Sequence, residues 1–340
     1  MKTLPPLPTE DLEQVFLQVG EFWEKVRAKR VFLTGGSGFF GSWLLETLLF
    51  AEDKKNIGVK VWVLTRSLDR FRAKLPHLAG HPAVHLVEGR AEDFQFPQER
   101  MDFVIHSMVP DPGMSLEDME KWFEKGTRRL LELAARDRSE GFLLCSTGAV
   151  YQPQGRPLSE EDPLVPLDGP LTYGRIRRQV EEQCIEASKK HAIPLKIARG
   201  FSFAGPRLPG NVGFALSDFL RDAAAGIKIR VHGTGLPVRS YMHGRDMALW
   251  LWKFLLRTRK ANIFNVGSPE GIRLLDLAQT IADLAENEIE VLQRPGTGAA
   301  GNSHYVPLTT KAMKELENAA PRNLKDILVA ETQAQAKPCR

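Results

Sequence analysis

Residues 31 to 45 read VFLTGGSGFFGSWLL, and no other stretch limits the fold as strongly. An apolar run that reads as a strand ends at Thr34. Gly35, Gly38 and Gly41 follow at three-residue spacing, and an apolar pattern of helical type begins directly after them. Glycine allows the tight turn and lets a phosphate approach the backbone. The helix N-terminus then offers N–H groups and the positive end of its dipole. A glycine triplet in a strand–turn–helix setting predicts a βαβ unit that binds a dinucleotide, with Gly35, Gly38, Phe39, Phe40 and Gly41 around the pyrophosphate.

The rest of the chain extends that pattern. RVFLTG, VKVWVLTR, AVHLVEG, DFVIHSM, GFLLCST and LKIARGF read as short apolar strands. SWLLETLLFAE, LEDMEKWFEKGTRRLLELAAR and RIRRQVEEQCIEASKK read as helices between them. Such alternation predicts an α/β fold, a Rossmann-type doubly wound parallel sheet covered on both faces. Past residue 200 the pattern changes to a Gly/Pro-rich loop, GPRLPGNVG, two further strand-like runs and the amphipathic LLDLAQTIADLAE, a smaller C-terminal substrate-binding lobe. Residues 9–29 read as one amphipathic helix capped by Thr9, packed outside the main domain. The expected division is 1–29 as that extension, 30–198 with 236–260 as the dinucleotide-binding domain, and 199–235 with 261–340 as the substrate lobe.

Composition narrows the partners. The 46 basic and 42 acidic residues nearly balance, at net +4, which argues against nucleic acid and leaves an anionic small ligand open. Three cysteines, Cys145, Cys184 and Cys339, have no paired spacing, so a reducing cytoplasm is expected. MALWLWKFLL is too short to span a bilayer and reads as a core helix, so no membrane partner is expected. His77, His81 and His85 are spaced by four, but Gly80 and Pro82 break that helix, and no metal site is assigned. At the end of the second strand, where an acid would bind a ribose hydroxyl, stand Thr65 and Arg66. Arg66 suits a 2′-phosphate, so NADP is favoured over NAD.

The Gly-x-x-Gly-x-x-Gly spacing resembles that of the extended branch of the short-chain dehydrogenase/reductase superfamily, which acts mostly on nucleotide-activated sugars. CSTGAVY, LTYGRIR, ARGFSFAGPR and GTGLPVRSYMHGRDMA resemble further motifs of that branch, over roughly residues 30 to 325. The resemblance implies that Tyr173 is the acid/base taking a proton from a sugar hydroxyl as hydride moves to the nicotinamide. It implies that Thr147 hydrogen-bonds the reacting oxygen, that Asp93 lies near the adenine, and that His106, Ser107 and Met108 line the cofactor. Ser202 and Arg239 fall where the branch contacts the sugar and the diphosphate. It also implies a homodimer built on helices around residues 115–135 and 172–190.

Four residues after its tyrosine the branch carries a lysine that holds the nicotinamide ribose. This chain has Arg177, in helical register with Tyr173. Arginine is always charged, so the electrostatic task survives, but it cannot relay a proton. Gly148 and Ala149 stand where 4,6-dehydratases carry an Asp-Glu pair, which argues against that elimination. A nucleotide-sugar 4-epimerase or 4-ketoreductase is the leading expectation. Arg177, Ser202 and Gln152 depart from the branch pattern and keep open a cofactor-binding protein with lost or altered catalysis; a nucleotide-sugar dehydratase is the other alternative.

Overall fold

The apolar runs assemble into a seven-stranded sheet in a computed structural model, which describes residues 3–208, 214–257, 262–292, 304–317 and 319–336. Six strands come from the first two-thirds of the chain: β1 (Arg30–Thr34), β2 (Lys60–Thr65), β3 (Val84–Glu88), β4 (Phe103–His106), β5 (Gly141–Thr147) and β6 (Leu195–Gly200). Their order is β6-β5-β4-β1-β2-β3, every neighbouring pair is parallel, and the Asn262–Val266 strand adds the seventh place beyond β6. The order reverses at β1, between β2 and β4, and that is where a doubly wound sheet opens a crevice at its strand ends.

Burial explains the uniform apolarity of the strands. β4 is buried throughout, β5 is buried up to Ser146, and both faces carry helices. α1 (Thr9–Val19) and α2 (Phe39–Lys55) precede two short helices, α3 (Leu68–Lys74) and α4 (Pro76–Ala79). α5 (Leu116–Asp137) and α6 (Tyr173–His191) pack on each other over a core that includes Phe123, Leu130, Leu144, Val180 and Ile197. MALWLWKFLL lies in the Gly244–Arg257 helix, with both tryptophans buried. Among the described residues no helix is long and apolar enough to cross a membrane.

The N-terminal extension differs from the single helix expected over 9–29. Gly20 turns the chain with φ +60°, and a 3₁₀ segment, Gly20–Val26, continues after α1. Nor does Thr9 cap α1: Pro8 precedes it, and Thr9 is its first residue. The kink lets Val15, Val19, Trp23 and Val26 all point inward. Trp23 packs at a tilt against Trp252, ring centres 5.4 Å apart, and its indole N–H donates to the Phe16 carbonyl at 3.0 Å.

The chain divides into two compact units. One holds Met1–Val150, Pro163–Gly200 and Arg245–Phe264, and the other Tyr151–Asp162, Phe201–Gly244 and Asn265–Arg340. Three boundaries differ from the sequence reading, the first being residues 236–244, expected in the dinucleotide-binding domain but found in the second unit. Residues 262–264 join the main sheet, although the pattern assigned them to the smaller lobe. Tyr151–Asp162 belongs to the second unit, because Leu158 exchanges backbone hydrogen bonds with Val306 and Leu308 at 2.8 and 2.7 Å. The second unit has its own core of Leu216, Phe219, Ile229, Leu277, Ile281 and Ile327. Of the GPRLPGNVG loop, residues 209–213 lie outside the described residues, as does Cys339.

Candidate active site

The glycine turn is tight because side chains are excluded from it. A Cβ on Gly35, whose φ is +70°, would lie 2.1 Å from the Ser107 carbonyl oxygen, and one on Gly41 would lie 2.3 Å from the Gly35 carbonyl oxygen. Ser107 closes the crossing between β1 and β4: its hydroxyl donates to the Thr34 carbonyl at 2.6 Å. Gly38 is the N-cap of α2, and no side chain caps that helix end. Lys74, from α3, donates to the Ser37 carbonyl at 2.7 Å and holds the loop from behind. Sequence reasoning missed this lysine, which carries no motif. An uncapped helix N-terminus behind a glycine turn has the donors and the dipole that a pyrophosphate requires. Gly35 to Gly41 therefore fit a dinucleotide.

The remaining cofactor candidates fall at two depths. Arg66 directly follows β2, is half exposed, and forms an ion pair with Asp111 in the loop after β4. The Arg66 hydrogen bond holds the Asp111 carboxyl below its ordinary range, and the charges of Arg90 and Arg70 act in the same direction. Asp93 is exposed in the turn after β3. His106 and Met108 sit deeper. Met108 packs against Gly126 of α5, where a Cβ would come within 2.9 Å of its Cε. His106 is fully buried and shares a 2.9 Å hydrogen bond with Thr127 Oγ1. Burial, and then the charge of Arg177, push its pKa down to about 3, so the ring is neutral.

Tyr173 is the first residue of α6. Thr172 caps the helix, accepting the Arg175 N–H at 3.1 Å. Arg175 reaches the Gly169 carbonyl at 2.7 Å and Arg178 the Val165 carbonyl at 2.5 Å, so the loop before the helix is tied to its first turn. Gly174 decides the approach: a Cβ there would lie 2.1 Å from the Ala149 carbonyl oxygen. Ala149 belongs to the short turn after β5, and its N–H donates to Thr147 Oγ1 at 3.2 Å. Through this one residue the start of α6 is seated against the end of β5, which brings Tyr173 and Thr147 into one neighbourhood. The Tyr173 side chain is 39% exposed, open to a ligand.

Arg177 takes a different course from the lysine it replaces. It is 2% exposed, its Nη2 donates to the Cys145 carbonyl at 2.6 Å, and its guanidinium lies 4.5 Å from the Phe123 ring centre. Tyr173 is not among its partners. Nε and Nη1 are buried without a hydrogen-bond partner among the described residues, as is His106 Nδ1. The charge acts on its surroundings nonetheless, opposing the upward shift that burial gives the Cys145 and Cys184 thiols.

Ser202 and Arg239 belong to the second unit. The Ser202 carbonyl accepts the Met242 N–H at 3.1 Å. Arg239 lies on a strand, Val238–Ser240, between Gly271–Arg273 and His304–Tyr305, and its guanidinium stands 5.7 Å from the Tyr305 ring centre. Burial lowers its pKa from the ordinary arginine value. The three histidines spaced by four have separate partners: His77 meets Glu46 at 3.3 Å, His81 meets Asp53 at 3.0 Å, and His85 stacks on Trp62 at 4.5 Å.

Comparison with known proteins places this geometry. Residues 31–267 match the model of the NAD dependent epimerase/dehydratase family. UDP-glucuronic acid decarboxylase 6 of Arabidopsis thaliana is 27% identical over 294 residues, covering 84% of this chain and 81% of that protein. UDP-glucose 4-epimerase of Lacticaseibacillus casei is 26% identical over 291 residues, covering 77% and 83%. Among solved structures, UDP-glucuronic acid 4-epimerase from Bacillus cereus in complex with NAD superposes with a TM-score of 0.74 at 20% identity, over 91% of this chain and all of that one. An epimerase from Methanothermobacter thermautotrophicus gives 0.75, also at 20% identity, over 94% and 95%. The glycine turn, the switch point at β1 and the Thr147–Tyr173 neighbourhood all lie inside the matched segment, and the chain belongs to the NAD dependent epimerase/dehydratase family.

Proposed function

We propose that the chain is an NAD(P)-dependent enzyme acting on a nucleotide-diphosphate sugar, by hydride transfer between a sugar carbon and the nicotinamide. The observation that carries this reading is the seating of Gly174 on the Ala149 carbonyl, which supports a site shared by the neighbouring Tyr173 and Thr147. The nicotinamide, when bound, accepts or returns the hydride. Thr147 donates to the reacting oxygen, and Tyr173 removes or returns its proton. Arg177 contributes a fixed positive charge beneath the site rather than a contact to the phenol. Gly35 to Gly41 hold the pyrophosphate, and Ser202 and Arg239 contribute to the sugar-nucleotide site.

Arg66, with Arg70 and Arg90 near it, supports NADP over NAD. Asp111 competes for the same guanidinium and keeps that preference modest. A 4-epimerase or a 4-ketoreductase is the leading reading, since neither Gly148 nor Ala149 can move a proton for a dehydration. The decarboxylases among the relatives favour a second one, because oxidising a uronic sugar at C4, the carbon β to its carboxylate, gives a β-keto acid that loses carbon dioxide. We further propose a cytoplasmic homodimer joined through α5 and α6.

The test is incubation of the purified chain with UDP-, dTDP-, CDP- and GDP-sugars, including uronic and 4-keto forms, with each cofactor. Isomerisation without net cofactor use identifies an epimerase, stoichiometric NADPH loss a reductase, and loss of carbon dioxide a decarboxylase. Bound cofactor without turnover across the panel contradicts the enzymatic reading.

A further inference from the structure

One face of α6 carries Tyr173, Arg177 and Glu181, at successive four-residue steps. Glu181 is 1% exposed, and its carboxylate has two kinds of partner. The Ser146 hydroxyl donates to Oε1 at 2.5 Å. Arg199 of β6 donates from Nη2 to Oε2 at 2.7 Å and from Nε to the two oxygens at 3.1 and 3.2 Å. Arg199 is 3% exposed, and it lies opposite Ser146 in the β5–β6 register. A buried charged pair is expensive to desolvate and adds little net stability compared with apolar packing. What such a pair supplies is a fixed geometry.

We propose that Glu181 is a positioning residue for the reaction, acting through Ser146 on the residue next to it, Thr147. The anchor lies about 12 Å along the helix axis from Tyr173, at about 1.5 Å per residue. The second fixed point is the contact of Gly174 with Ala149. Between them the Arg177 hydrogen bond to the Cys145 carbonyl ties the same helix face to β5. The Gly174 and Glu181 contacts, at the helix start and two turns on, flank that bond and fix the helix register and rotation at both ends. They join α6 to the same strand end from both sides, so the phenol and the threonine hydroxyl are held relative to each other. The inference rests on the hydride-transfer reading for its catalytic consequence and on geometry alone for the anchor.

The gentlest test is Ser146→Ala, which cuts the link to the strand and leaves the ion pair in place. Glu181→Gln keeps the shape and removes the charge. Each variant is compared with wild type in melting temperature, NAD(H) binding, steady-state turnover, and hydrogen exchange of residues 145–151 and 173–181. Ser146→Ala is expected to melt within a few degrees of wild type and to bind cofactor within about twofold. Its kcat is expected to fall about tenfold or more at nearly constant KM, as for misplacement of reacting groups. Exchange should rise in those two segments only, in both variants. Unchanged exchange and kcat in both variants overturn the proposal, and so does a rise spread evenly over the chain. If wild type turns over no nucleotide sugar, the enzymatic reading fails by itself, and exchange then decides: local loosening supports the anchor and wild-type exchange overturns it.

Discussion

Among the described residues, the buried charge of Arg177 has a single hydrogen bond, to Cys145, and one aromatic face, that of Phe123. A buried cation with unpaired donors is a stability cost, retained where its field is useful. Arg177→Met is therefore expected to leave the melting temperature unchanged or raised while turnover drops about tenfold, for about 1.4 kcal/mol of lost transition-state stabilisation. Falling stability with full turnover would refute the role assigned to the charge. The Arg66–Asp111 pair makes a separate forecast about cofactor choice. Asp111→Ala should tighten NADP by about fivefold, roughly 1 kcal/mol, and Arg66→Ala should weaken it, with NAD moved less than about twofold in either. Fluorescence titration of both cofactors checks this, and equal shifts for the two would contradict it. His106 governs an acid limb of stability. Its folded pKa of about 3 lies below its ordinary 6.5, so below that value the unfolded chain binds a proton that the folded chain refuses. Its contribution is full above pH ~6.5 and is lost as pH falls from there toward about 3. Between about pH 7.5 and about pH 5, wild type should lose about 2 kcal/mol more than His106→Gln, measured by denaturant unfolding. Parallel losses would show that the ring does not titrate in this way.

Among the elements, α6 shows what a sequence makes legible and what it hides. The motif LTYGRIR marks the tyrosine, and helical spacing places Arg177 on its face. It does not say where a long side chain ends, and a flexible guanidinium followed the nearest carbonyl and ring instead of the phenol. Gly174 was legible in principle, because a glycine in the first turn of a helix is costly without a close contact to excuse it. Glu181 carried no signal of its own, since a glutamate on a helix with many charges reads as solvated until Ser146 and Arg199 are seen around it. The N-terminal extension was read correctly as apolar on one face, but Gly20 broke the single helix that periodicity implied. Its packing rests on Trp23, fully buried against Trp252. Trp23→Ala should cost about 3–5 kcal/mol of unfolding free energy while leaving cofactor affinity within about twofold. Weakened cofactor binding in a folded Trp23→Ala protein would show that the extension reaches the site.

At the scale of the whole molecule, strand order follows from pattern more readily than unit boundaries do. Six apolar runs, most of them separated by helices, point to a doubly wound order, because parallel neighbours need right-handed crossovers. The return of residues 262–264 to that sheet and the transfer of Tyr151–Asp162 to the other unit depend on long-range backbone pairing, which leaves no local periodicity. Hydride transfer at Tyr173 is read from nicotinamide absorbance. Wild type loaded with the oxidised cofactor is mixed with UDP-hexoses and UDP-uronic acids in a single turnover. Reduced nicotinamide should appear with at least one of them, and Tyr173→Phe should bind the same cofactor but form the reduced species about 10²–10⁴-fold more slowly. Equal rates in the two proteins, or no reduction in wild type with any of these sugars, would contradict it.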